Sequence, residues 1–186
     1  GMIELLCQSS ECDVYVLDPL HLIESDKLKE DRHIVNDLEG TVIKLFAETV
    51  ERHNSFKTDA IKFEHSGYAN TVVFLLGLQK IKAQLSDDGQ EKLQLILDKT
   101  KGHFKQSYFV ADSYHFANQY AFETWCNGNG IWVGKGLSEQ SVLHLSGNIS
   151  SSRTANYTDG CLIRQGSGKQ MKLVISDYVK EEEDDE

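Results

Sequence analysis

Apolar and polar positions alternate along the chain in blocks that switch between two periods, one suited to helices and one to strands. Met2, Leu5 and Leu6 keep helical spacing, so the chain opens on a helix or on the end of one. The run "DVYVLDP", 13–19, is short, β-branched and aromatic, and closes on Asp18 and the only proline, Pro19; it predicts a strand. A polar stretch follows, and "HIV" at 33–35 has the makings of a small strand. Asn36 with Glu39 three residues later fits a helix-starting capping box. From there Leu38, Val42, Leu45, Phe46 and Val50 predict one apolar stripe on a helix ending near His53.

The stretch "TVVFLLGLQKI", 71–81, predicts a buried strand running into a short helix that carries Leu78, Ile81 and Leu85 on one face. Asp87 with Gln90 starts another helix bearing Leu93, Ile96 and Leu97, with Lys99 and Lys101 suited to its C-terminal dipole and Gly102 as its cap. "SYFVADS", 107–113, predicts a third strand ending in a carboxylate, and the aromatic-rich segment from His115 to Trp125 a helix. "GIWVG", 130–134, reads as a fourth strand, and "SEQSVLHL", 138–145, as a short helix. "CLIRQGSGKQMKLVI" places two extended runs around a Gly-Ser-Gly-Lys turn, which predicts a terminal β-hairpin. Strands alternating with helices imply an α/β fold with a mainly parallel sheet covered on both faces. The pattern gives one domain over 1–179 and an acidic, solvated tail over 180–186.

Composition narrows the function classes. The 186 residues are 40% hydrophobic and 26% charged, a globular profile with no apolar run long enough to span a bilayer. The opening residues lack the basic start and long apolar centre of a signal peptide, and Gly1 before Met2 reads as an expression scar on a piece of something longer. A formal charge of −10 with no basic patch argues against nucleic acid as a partner. The four cysteines, at 7, 12, 126 and 161, match no zinc spacing and read as reduced packing residues; no structural metal is expected.

Motif by motif, catalysis finds little support. "GSGKQ", 166–170, has Ile163 where a phosphate loop needs its first glycine, Gln170 in place of Ser or Thr, and a strand rather than a helix after it. The glycines of "GNGIWVG" precede a strand, whereas those of a dinucleotide fingerprint follow one. Asp112, Ser113 and His115 match a catalytic triad by residue type only, being too close in sequence for a base to bridge nucleophile and acid. Tyr120, Trp125, Trp132 and Gln140 are candidates for contacting a substrate or partner, although aromatic residues of this kind are more often core. The predicted strand ends are uncharged apart from Asp18 and Asp112.

Taken in order, several stretches resemble the FtsK/SpoIIIE family of hexameric motor ATPases, and within it the last ATPase-like domain of the type VII secretion membrane ATPases of Gram-positive bacteria, the EssC/YukB group. "DVYVLDP" resembles the strand after the phosphate-loop helix, and "TVIKLFAETVERHNSFK", 41–57, the family's long helix. "TVVFLLGLQKI" stands in the Walker B place, "YFVADSYHFANQY" resembles the strand beyond it, and "GNGIWVGKGLSEQSVLHL" the segment near the domain's end.

The resemblance implies a three-layer, RecA/P-loop NTPase-like sheet whose phosphate-loop strand is missing, the N-terminus being truncated within the following helix. It implies a cytosolic part of a membrane-anchored motor, working beside the other ATPase domains of the same chain, with secreted small helical proteins as partners. ATP and magnesium belong to the parent motor, and no cofactor is implied for this chain. Leu76 and Gly77 fall where the family's Walker B aspartate and the residue after it belong. An alkyl group cannot coordinate magnesium, a hard cation that takes oxygen ligands. The expected function is therefore a non-hydrolysing module for substrate recognition or regulation. Two alternatives stay open: a free-standing α/β protein-interaction domain, and an active ATPase whose phosphate loop lies outside this chain.

Overall fold

The computed structural model describes residues 2–7, 12–23, 33–100, 104–111, 130–133, 160–163 and 170–172. The chain divides into two units, Met2–Asn127 and Gly128–Glu186. In the first, three strands, β1 (Cys12–Leu17), β2 (Asn70–Leu76) and β3 (Gln106–Ala111), form a parallel sheet in the order β1-β2-β3. Among the described residues five helices accompany them: α1 (Met2–Cys7), α2 (Leu38–Thr58), α3 (Ala60–Glu64), α4 (Leu78–Gln84) and α5 (Asp87–Thr100). The architecture is mixed α/β. No helix among the described residues is long and apolar enough to cross a membrane.

Alternation along the strands sorts the side chains onto two faces. On one face Val14, Val16, Val72 and Phe74 form a buried cluster, packed by Ile3, Leu6 and Cys7 of α1 and by Cys12, Ile23, Ile34 and Leu76. On the other face Thr71, Val73, Leu75 and Leu17 are buried. Because strand order follows chain order, right-handed crossovers place both connecting segments on the same side of the sheet. Helices α2 and α5 do pack together: Lys92 Nζ lies 5.7 Å from the centre of the Phe46 ring, and both oxygens of the Glu39 carboxylate engage Ser86. Leu45, Leu93 and Ile96 are fully buried here, each burial contributing roughly 1.5–3 kcal/mol.

The start of α2 differs from the expected capping box. Asp37, not Asn36, is the N-cap, its carboxylate accepting from Gly40 N at 2.9 Å. Glu39 is instead recruited across 47 residues to the start of α5, accepting from Ser86 N at 3.0 Å and Ser86 Oγ at 2.6 Å. Ser86, one residue before the expected start, caps α5 by accepting from Gly89 N at 3.1 Å. A Cβ at Gly89 would meet the Glu39 carboxylate at 2.6 Å, so a larger residue there would push that side chain aside.

Helix α2 also runs past His53 to Thr58, since "ERHNSFKT" contains neither glycine nor proline. It ends at Asp59, which caps α3 in turn by accepting from Lys62 N at 3.1 Å. Its inward stripe is corrected as well. Val42, Leu45, Thr49 and Arg52 are the buried positions, while Val50 is 42% exposed. Residues 33–35 add a single parallel bridge to the outer edge of β1, Val16 with Ile34.

In the second unit β4 (Gly130–Val133), β5 (Gly160–Ile163) and β6 (Gln170–Lys172) form an antiparallel sheet in the order β4-β5-β6. The pairing of β4 with β5 was not indicated by the apolar pattern. The Gly-Ser-Gly-Lys turn, Gly102, Lys101 and the expected helices over 115–125 and 138–145 lie outside the described residues.

Candidate functional site

In open parallel sheets, ligands bind beyond the carboxyl ends of the strands. Here that edge is formed by Asp18 after β1, Leu76 and Gly77 at the end of β2, and Ala111 at the end of β3. The central strand carries the Leu76–Gly77 pair, with Leu17 in register with Leu75 and Ala111 with Leu76. Gly77 extends the ladder by donating its N–H to Ala111 O at 2.8 Å, then turns the chain with φ 78° into α4. Its carbonyl accepts from Lys80 N at 2.9 Å and Ile81 N at 3.0 Å, which starts the helix without a side-chain cap.

Leu76 is half-buried and packs on the apolar cluster of Val14, Val16, Val72 and Phe74. Its surroundings suit an alkyl group. A carboxylate there would be held against hydrocarbon, a costly placement for a charge. The next residue is crowded from above: Leu20 Cδ1 lies 2.7 Å from where a Cβ on Gly77 would sit, so the 18–23 loop rests directly on the glycine.

Asp18 organises that loop. It is 5% exposed, its Oδ2 accepts from Ile23 N at 2.9 Å, and its carbonyl accepts from His21 N at 3.2 Å. His21 takes φ 52° to close the turn, and Oδ1 of Asp18 makes no hydrogen bond. Among the described residues Asp18 is the one carboxylate at the strands' carboxyl ends, and no three His, Cys, Asp or Glu side chains gather as a metal-binding group. The edge therefore offers one buried carboxylate committed to a loop, a backbone turn and two leucines. Among the described residues, this edge holds no nucleophile with an adjacent base.

Asp112, Ser113, His115, Tyr120, Trp125 and Gln140 lie outside the described residues. Trp132 stands on β4 in register with Cys161 of β5.

A second polar constellation, missed in the apolar pattern, lies under the C-terminal half of α2. Arg52, 4% exposed, donates from Nη1 to Phe104 O and Lys105 O, each at 3.1 Å, and from Nη2 to Thr71 Oγ1 at 3.0 Å. Phe104 and Lys105 have φ of 61° and 53°, an uncommon conformation for two successive non-glycine residues, and Arg52 binds both carbonyls of that turn. Its guanidinium also lies 5.3 Å from the centre of the Tyr68 ring. Thr49 Oγ1 stands 2.7 Å from Leu45 O and 3.0 Å from Gln106 Oε1.

Burial pushes the Tyr108 phenol well above its ordinary range, an effect partly offset by the nearby Thr49 hydroxyl. The phenol oxygen itself makes no hydrogen bond. The signal for this constellation was present in the sequence: Thr49 and Arg52 follow Leu45 at spacings of four and three. A stripe drawn through apolar residues alone passes them by. Comparison with family models, with curated proteins and with solved structures returns no match for this chain.

Proposed function

We propose that this chain is a non-hydrolysing, RecA-like module of a type VII protein-secretion motor, acting in substrate recognition or regulation. The supporting observation is Leu76. It ends the central strand where the resemblance to FtsK/SpoIIIE ATPases expects a magnesium-holding aspartate, and it packs, half-buried, against the apolar cluster instead. Leu20 lying over Gly77 supports the same reading, because it fills space directly above the end of the central strand. The parent chain is anchored in the membrane with this module on its cytosolic side. Secreted small helical proteins and the neighbouring ATPase domains are its partners, and ATP and magnesium act elsewhere in the motor.

The test is ATP turnover by the longest native chain that contains this domain. No magnesium-dependent turnover assignable to the domain is expected. Turnover lost on changing Asp112 would sink the reading. Capture of small secreted helical proteins tests recognition, with loss of capture expected when Trp132 or Tyr120 is changed.

A further inference from the structure

Along α2 the inward side chains change from apolar Val42 and Leu45 to polar Thr49 and Arg52, and Phe56 follows one turn later. Thr49 meets Gln106 and Arg52 meets Thr71 at the amino ends of β3 and β2, so a buried polar layer closes the main core on this side. Beyond that layer stands a separate aromatic cluster. The Phe63 ring is edge-on to those of Phe56 and Phe104, with centres 5.8 Å and 6.3 Å away, and lies 5.6 Å from that of Tyr68.

Residues 60–67 reach this cluster through one buried side chain. Phe63 is 3% exposed, whereas Ala60, Ile61, Lys62, Glu64, His65 and Gly67 are exposed and Ser66 is half-buried. Both ends of the segment are fixed. Asp59 donates its N–H to Ser55 O at 3.1 Å, and its extended backbone separates α3 from α2. At the far end Tyr68 donates its hydroxyl to Glu51 Oε1 at 2.8 Å. Gly67, just before it, has no heavy atom within 4 Å of where a Cβ would stand, so the chain has room to turn there. A further tie is the Lys105 ammonium, which donates to Ser66 O at 3.2 Å. Segments held by so little buried apolar surface open by themselves, at a cost well below that of global unfolding.

We propose that residues 60–67 form a flap pinned by Phe63, which swings about Asp59 and Gly67 and bares the rings of Phe56 and Phe104 while the main core stays folded. The polar layer makes this separation possible, because withdrawing Phe63 removes no side chain from among Leu45, Val73 and Leu75.

Amide hydrogen exchange of the full chain, followed by NMR, tests this. The Phe63 and Ser66 amides donate to Asp59 O and Phe63 O. They should be protected about 10- to 1,000-fold, the range that one buried phenylalanine and its ring contacts supply. The Ile81 amide, which donates to Gly77 O in the main core, should be protected at least about tenfold more. Equal protection of Ser66 and Ile81 overturns the flap. Phe63→Ala should lower protection at Ser66 about tenfold and leave that at Ile81 within about twofold. Equal falls at the two amides, or a variant that does not fold, would place Phe63 in the main core and overturn the proposal.

Discussion

Replacing Arg52 with alanine removes three hydrogen bonds at once, those to Phe104 O, Lys105 O and Thr71 Oγ1. Two of the freed acceptors are the carbonyls of the left-handed turn leading into β3. Hydrogen bonds from charged donors contribute about 1.5–3 kcal/mol each, and orphaned buried acceptors cost about 1–3 kcal/mol. These terms overlap, and releasing a buried guanidinium offsets part of them. The Glu48 carboxylate, 3.9 Å away, adds little. A net loss of about 3 kcal/mol follows, roughly two powers of ten in the folding equilibrium.

Val50→Ala, on the outer face of the same helix, should cost under about 0.5 kcal/mol. Urea unfolding of the full chain followed by far-ultraviolet circular dichroism measures both, provided the slopes agree. Arg52→Lys gives an intermediate loss, because one ammonium cannot reach three acceptors held in a planar fork. If Arg52→Ala falls within about 1 kcal/mol of the parent, or Val50→Ala costs more than it does, the placement of Arg52 under the helix is refuted.

Gly77→Ala should destabilise by about 1–3 kcal/mol, from positive φ and from contact with Leu20; adding Leu20→Ala should restore only the contact part, and full restoration would show that φ is not strained. Leu76→Asp should lower stability by about 1–3 kcal/mol without producing ATP turnover, measured by unfolding and by phosphate release. The raised Tyr108 pKa gives a signed alkaline effect: above about pH 10 the unfolded phenol ionises while the folded one stays protonated, so stability falls as pH rises and is unaffected below. The slope from this group approaches about 1.4 kcal/mol per pH unit, and Tyr108→Phe should remove that share; identical slopes in the two proteins would contradict the burial of the phenol.

Elements whose residues satisfy one period throughout were legible before any coordinates. β2 combines an unbroken apolar run with Gly77 as its stop, and α4 buries Leu78 and Ile81 as their spacing predicts. Positions where a polar side chain works over distance were not legible. Glu39 satisfies the local capping pattern equally well, but Ser86 offers its carboxylate two donors that become neighbours only after α2 and α5 pack. Arg52 looks solvent-facing until the Phe104–Lys105 turn supplies buried carbonyls for it. At the candidate site, the lack of a carboxylate at Leu76 could be read directly, whereas Leu20 over Gly77 depends on how Asp18 folds its own loop.

The small bridge at residues 33–35 occupies part of the outer edge of β1. Val16 N is taken by His33 O at 3.0 Å and Val16 O by Val35 N at 2.9 Å. Val14 O receives Nδ1–H of the His33 ring at 3.2 Å. There a side chain, rather than a backbone N–H, takes the strand's acceptor. A strand as apolar as Cys12–Leu17 would otherwise template edge-to-edge aggregation. With these groups taken, residues 33–35 leave less of the rim of β1 open to pairing with another strand.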